Sequence, residues 1–229
     1  MLTPARQRGV EWLDDPAIDP AVRARSIGDV TRSNRLLGGL RSASRAFRAV
    51  LPGLPSALTL LDIGTGLADV PARLRAIGRA ESRDVFAIGV DMAPTLLAAS
   101  RDRLDAPVCA DALALPFADR SVDVTVCSQI LHHFDEDGAV AFIREMNRVA
   151  RRAVVVSDLR RSWLAAAGFW VVSFPLRFHP VTRHDGVVSV LRGFTANDLH
   201  RIVVRATGIT PVVRRHLGWR LTAHWIPAA

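Results

Sequence analysis

A chain of 229 residues, 49% hydrophobic and 23% charged, is long enough for one α/β domain with a substantial core and an extra segment. It has no apolar run near the roughly 20 residues of a membrane span, and the opening MLTPARQRGVEWLDD lacks the apolar core of a secretory signal, so a cytoplasmic setting is the default expectation. The net charge of +8 is carried by arginine alone; the absence of Lys and Tyr excludes Schiff-base and phenolic-base chemistry, and Arg dispersed through helices and loops suits a solubilising role better than a nucleic-acid face.

Residues 1–55 read as helical pieces that cap the domain. Pro20 stands at a helix start, Val22, Ile27, Val30, Leu36 and Leu37 recur at roughly helical spacing, and Gly38-Gly39 interrupts them. Pro52, Gly53 and Pro55 end the segment.

The stretch LTLLDIGTGLADVP, Leu58 to Pro71, organises the rest of the chain. An apolar β-type run (Ala57 to Ile63) breaks into Gly64, Thr65 and Gly66 and restarts as a helix (Leu67 to Ile77) closed by Gly78, the way a parallel sheet presents backbone to a ligand at its carboxyl edge. A dinucleotide turn needs a small residue at the third place of its G-x-G-x-x-G/A frame, where this chain has Asp69. A carboxylate there repels a pyrophosphate and suits a cationic α-amino group. S-adenosylmethionine (SAM) carries such a group, a sulfonium and no phosphate, whereas a nicotinamide dinucleotide is disfavoured.

The second strand, Asp84 to Val90, ends in Asp91, and Pro94 opens a helix to about Arg103. An acid at the end of the second strand of a doubly wound sheet accepts from both ribose hydroxyls, so Asp91 is the expected ribose ligand, with Met92 placed to pack on the adenine. Strand three is short, Pro107 to Ala110, and leads into Asp111-Ala112; strand four runs from Ser121 to Cys127. Cys109 and Cys127 are expected to be reduced core thiols on neighbouring strands, and no metal cluster is visible. A helix from about Asp135 to Ala150 starts acidic and ends in Arg148, Arg151 and Arg152, which complements its dipole. Strand five, Ala153 to Ser157, is a continuous apolar run that releases Asp158 at the ligand edge.

Residues 159–193 form an insertion rich in Trp163, Phe169, Trp170, Phe174 and Phe178 that also holds His184. A membrane-surface element is one reading; the thin polar face favours a buried substrate cap. Thr195 then caps the last helix with Asp198 in the capping-box place, and Ile209 to His216 and Trp219 to Trp225 read as a closing hairpin.

LDIGTGLADVP, Asp91, the phrase CADALALPFADRSVDVTVCSQILHHF and NRLLGG together resemble class I SAM-dependent methyltransferases, from Ala57 to about Ile226. Within them the likeness is to the branch of ubiquinone and menaquinone C-methylases and natural-product O- and C-methylases. Asp62, Gly64, Gly66 and Ala68 match the first motif, with Ala68 in place of the usual third Gly. The resemblance implies a Rossmann-like α/β sheet of seven strands, the last antiparallel, with helices on both faces, an N-terminal helical lid (1–55), a SAM-binding domain (56–229) and an inserted cap (159–193). It further implies that Thr65 joins the cofactor turn, that Asp111 accepts from the adenine amino group beside Ala112, and that Ser128 and Gln129 lie under the methyl donor. The family's amino-methylating nucleic-acid enzymes carry an Asn/Asp-Pro-Pro-aromatic motif where this chain reads SQILHHF, which counts against an RNA substrate.

In-line methyl transfer asks the protein to align the acceptor, exclude water and, for a hydroxyl acceptor, take a proton. Without Tyr or Lys the candidate bases are His133 and His132 after strand four, then Asp158 and His184. The implied acceptor is a small molecule, largely apolar or aromatic.

Overall fold

The computed structural model describes residues 3–7, 9–15 and 17–228. Among them, strands β1 (Ala57–Ile63), β2 (Asp84–Asp91), β3 (Ala106–Cys109), β4 (Val122–Ser128), β5 (Ala150–Leu159), β6 (Val212–His216) and β7 (Arg220–Trp225) form one sheet in the order β3-β2-β1-β4-β5-β7-β6. The first five are parallel, and β7 is antiparallel to both β5 and β6. The helices are α1 (Pro20–Leu36), α2 (Gly39–Val50), α3 (Asp69–Ala80), α4 (Pro94–Ser100), α5 (Glu136–Val149), α6 (Trp163–Ser173), α7 (Pro180–Arg192) and α8 (Ala196–Thr207).

Period-two alternation splits the core between the faces of the sheet. Leu58, Leu60, Val124 and Val155 pack with Phe47 of α2 and Leu74 of α3. Leu61, Ile63, Cys127 and Val154 pack on the other side with Phe142 of α5 and Leu199 of α8. Both faces are covered, which is why β4 and β5 read as near-continuous apolar runs. The caps follow the local chemistry: Asp135 accepts from the Gly138 N–H (2.7 Å) to start α5, and Thr195 and Asp198 form a reciprocal capping box on α8.

Three local expectations change. Gly78 does not close α3, which runs on to Ala80; an added Cβ at Gly78 would stand 2.4 Å from Val85 Cγ2, so this glycine lets the helix lie close on β2. The two cysteines are not on neighbouring strands, because β2 and β1 separate β3 from β4, and Cys109 is exposed while Cys127 is buried. The buried face of α1 is polar, made of Ser26, Asp29, Ser33 and Asn34; Asp29 accepts from the His179 N–H (2.7 Å) and ties α1 to the start of α7.

Helices α6 and α7 pack on each other through Ala165, Ala166, Val190 and Leu191, with Leu159 of β5 against them. The expected buried cap is buried on one face only. Phe178 is 2% exposed, but Trp163, Leu164, Trp170, Val171 and Phe174 are 45–59% exposed. No helix among the described residues is long and apolar enough to cross a membrane.

Candidate functional site

β1 and β4 lie side by side, and the chain leaves them in opposite directions, β1 toward β2 and β4 toward β5. In open α/β sheets ligands bind in the crevice outside the carboxyl ends of the strands at such a reversal. Here a cavity of about 400 Å³ occupies that place, walled by the β1–α3 turn, Asp91, the chain after β4 and the inner side of α1. Val30 of α1 is 41% exposed because it faces this cavity.

Four N–H groups of the turn already have partners. The N–H groups of Gly64 and Thr65 both donate to the Val90 carbonyl (2.8 and 2.9 Å), that of Gly66 to Asp91 Oδ2 (2.9 Å) and that of Ala68 to the Thr65 carbonyl (2.8 Å). Those four donors are not available to cradle a pyrophosphate, and the carboxylates of Asp62, Asp69 and Asp91 on the same cavity oppose one. Gly64 (φ +71°) is held both by its left-handed backbone and by Ile130, whose Cδ1 would stand 2.6 Å from an added Cβ. Ala68, in place of glycine, is also left-handed (φ 55°) and fully buried.

Two carboxylates face the ligand. Asp91 accepts one backbone N–H on each oxygen, from Gly66 and from Ala93 (2.9 Å each), which fixes its plane and leaves lone pairs for a vicinal diol. Asp62 is 2% exposed and its Oδ1 has no hydrogen-bond partner. Burial, reinforced by the Asp91 charge, pushes the Asp62 carboxyl up to about 7. Thr65 Oγ1 and Ser128 Oγ are also buried without partners on the same cavity. Such a set of orphaned acceptors and hydroxyls is what a polar, cationic ligand would satisfy.

Asp69 lines the cavity but is turned to two guanidiniums, Arg35 of α1 (2.5 Å) and Arg103 (2.9 Å), so its charge is compensated and it clips the lid helix to α3. Asp69 is therefore not free for the amine expected at its position, whereas the Asp62 Oδ1 on the same cavity has no partner. Met92, Asp111 and Ala112 are not among the cavity walls: Met92 is 70% exposed, Asp111 accepts from the Leu113 N–H (2.8 Å) in an exposed turn, and Ala112 joins the core. Gln129 does line it, in a left-handed conformation (φ 58°) that turns its side-chain carbonyl oxygen to Arg220 Nη1 (2.6 Å).

A smaller chamber of about 110 Å³ adjoins this cavity, sharing Glu11, Gln129 and His133 with it. It also adjoins a more apolar cavity of about 330 Å³, with which it shares Leu159, Phe169 and Arg220. His132 is 2% exposed; its Nδ1 meets Asp158 Oδ1 at 2.7 Å and its backbone N–H donates to Asp158 Oδ2 (3.0 Å). Burial alone would raise Asp158, but His132 and the N–H donors hold its carboxyl below the usual carboxylate range. The Asp158 carboxylate thus selects the tautomer with the proton on Nδ1 and leaves Nε2 of His132 as a base.

His133 differs. It lines the chamber and the large cavity with its side chain still 33% exposed, and partial burial, neighbouring His132 and Arg192 lower its imidazole to about 3. A ring that binds protons so weakly is a poor base at neutral pH. His184 stacks on Trp12 (centroids 3.8 Å) and contacts Asp185 (2.8 Å), outside the chamber walls. Glu11, His132 and His133 place ligand atoms within 4.8 Å of one another, a spacing that could hold a metal. Arg192, 3.3 Å from Glu11 Oε1, already supplies positive charge there.

Arg220 and Glu11 were not expected at the site. Arg220 is 3% exposed, and burial lowers its guanidinium to about 10. It faces both the chamber and the apolar cavity, where a planar cation suits an acceptor oxygen. Nothing local in the sequence marks an arginine at the head of a hairpin strand as buried.

Comparison with known proteins agrees with this geometry. Residues 61–156 match the family described as a methyltransferase domain. The chain is 39% identical over 140 residues to the demethylmenaquinone methyltransferase of Roseiflexus sp. (strain RS-1), covering 58% of this chain and 56% of that protein. It is 36% identical over 141 residues to the protein of the same name from Roseiflexus castenholzii, with 58% and 57% covered. The chain thus spans just over half the length of these curated relatives. Among solved structures, a SAM-dependent methyltransferase of Thermotoga maritima described as a possible histamine N-methyltransferase superposes with a TM-score of 0.63 at 15% identity, over 91% of this chain and 99% of that one. The magnesium protoporphyrin IX methyltransferase of Synechocystis with bound SAH gives 0.61 at 13% identity, over 91% and 94%. These structures share the fold.

Proposed function

We propose, from the match of residues 61–156 to the methyltransferase-domain family and the shared fold, that this chain is a class I SAM-dependent methyltransferase and methylates a small, largely apolar or aromatic acceptor presenting one ionisable oxygen or acidic carbon. The observation that carries the reading is the buried, unpartnered Asp62 oxygen beside Asp91, on a turn four of whose N–H groups are already engaged. That set fits a ligand with a cation and a diol and no phosphate. When bound, SAM supplies a methyl group activated on a sulfonium. Asp62 takes its ammonium, Asp91 its ribose hydroxyls, and Ser128 and Gln129 border the acceptor side.

The acceptor's apolar body takes the cavity walled by α1, α6 and β7, and its reacting head the smaller chamber. There His132 Nε2 removes the proton, Asp158 holds the ring and balances the imidazolium, and Arg220 faces the acceptor oxygen. Walls that are apolar with a few converging polar groups suit a small molecule. The name of the Roseiflexus relatives extends this to a quinol-like acceptor, methylated at carbon or oxygen.

Calorimetry should find SAM and its demethylated product binding, and NAD and NADP not binding. Transfer of labelled methyl from SAM to a panel of phenols, quinols and polyketide-like acceptors tests the second half; transfer to RNA and to none of these would replace the reading. Gly64→Val should abolish SAM binding while circular dichroism stays native, because the new side chain meets Ile130 and forces a left-handed β-branched residue. Normal SAM affinity in that variant would remove the turn from the site.

A further inference from the structure

The exposed side of the cap has a chemistry that methyl transfer does not use. From Trp163 to Leu176 there are fourteen residues without a charged side chain. Trp163, Trp170, Val171 and Phe174 fall at i, i+7, i+8 and i+11 and form one stripe along α6, with Leu164 beside it, all 45–59% exposed. Trp170 and Phe174 touch edge to face (4.8 Å), so the stripe is a continuous apolar ridge. The 330 Å³ apolar cavity opens beneath the same helix, at Gly168, Phe169 and Val172.

Arginine borders one end of the ridge. Arg183 lies over the Phe174 ring (3.9 Å), while Arg25 and Arg32 of α1 donate to the carbonyls of Arg177 and Leu176 at the end of the ridge. The charge of the whole chain is distributed accordingly. The lid (1–55) and the cap (159–193) together hold fourteen arginines and six acids, a net of +8. The rest of the chain holds sixteen arginines against sixteen acids, a net of zero. The whole positive excess of the protein therefore sits on the lid and the cap.

We infer that the α6 face docks on an anionic phospholipid bilayer, with the Trp and Phe side chains at the headgroup boundary and the arginine rim on lipid phosphates. A helix lies in a membrane interface when an apolar face is bordered by cations, Trp prefers that boundary, and juxtamembrane cations draw the protein to anionic lipid. A second copy of this chain fits less well, because two such rims would meet as like charges. The inference does not depend on which molecule is methylated, and its test needs neither cofactor nor acceptor.

Full-length protein is sedimented with vesicles of phosphatidylcholine alone, with vesicles containing about one third phosphatidylglycerol, and with the latter in high salt. Binding is expected only to the anionic vesicles and to fall with salt, and brominated lipid should quench the tryptophan fluorescence. Trp170→Asp/Val171→Asp should lower vesicle affinity at least about tenfold, since charge at this depth opposes insertion. Leu164→Asp, at the other end of the ridge, serves if the double variant does not fold. Failure of wild-type protein to bind anionic vesicles, or equal binding by the folded variants, would overturn the inference. So would a solution dimer that Trp170→Asp/Val171→Asp splits, which would assign the ridge to a second copy.

Discussion

His132→Asn is expected to lower turnover by about 10² to 10⁴, the usual worth of a general base, with SAM affinity almost unchanged. Asparagine can place its amide N–H where His132 Nδ1 now meets Asp158, so the buried carboxylate keeps a donor and the fold is spared. What the variant loses is Nε2. His133→Ala should cost less than about tenfold, because an imidazole held near pKa 3 takes few protons at neutral pH. For an acceptor already ionised at assay pH no base is needed, so the His132→Asn deficit should shrink as pH rises past the acceptor's pKa. Single-turnover methyl transfer over that range reads both effects. Near-normal turnover in His132→Asn with a large loss in His133→Ala would return the base to His133 and leave the Asp158 pair a structural role.

Asp62→Asn should produce two opposite changes, a more alkali-stable apoprotein and a poor cofactor site. With burial raising the folded-state pKa of Asp62 to about 7, the folded protein holds a proton that the unfolded chain, near 3.8, has already released. The stability tied to that proton is fully present below about 3.8 and is lost as pH rises through 7. Between about pH 5 and pH 8 the wild-type protein should therefore lose roughly 3 kcal/mol that the variant keeps, from about 1.4 kcal/mol per unit. Urea unfolding at the two pH values, without ligand, measures the gap. Cationic ligand demands the ionised form, so wild-type SAM affinity should rise up to about tenfold per pH unit below about 7 and level off above it, while the variant binds weakly with a flatter profile. Parallel pH dependence in the two proteins would place the amine elsewhere.

Short-range chemistry explains which parts of this protein were legible in advance. The seven strands, the glycine turn after β1, the Asp91 terminus of β2, and the Asp135 and Thr195 caps depend on residues a few positions apart, so their pattern is written locally. The motif order carried the cofactor class for the same reason, since one turn and two strand ends build most of that crevice.

Partners and depth were decided by packing across the chain. Arg220 meets Gln129 from 91 residues away, His132 meets Asp158 from 26, and Asp69 is claimed by Arg35 of the lid. The lowered proton affinity of His133 depends on burial and on Arg192, and the orientation of the His132 ring on Asp158, all contributed by separate segments. The aromatic run of the cap had the composition of a buried element, yet a single helix packed on α7 can bury only one side of itself. From sequence alone this chain determined a doubly wound α/β sheet and the edge at which its glycine turn lies. The tertiary structure alone decided which carboxylate oxygen is left unpaired, which imidazole a buried carboxylate holds and which aromatic side chains face out, because burial and charge pairing are properties of the assembled chain.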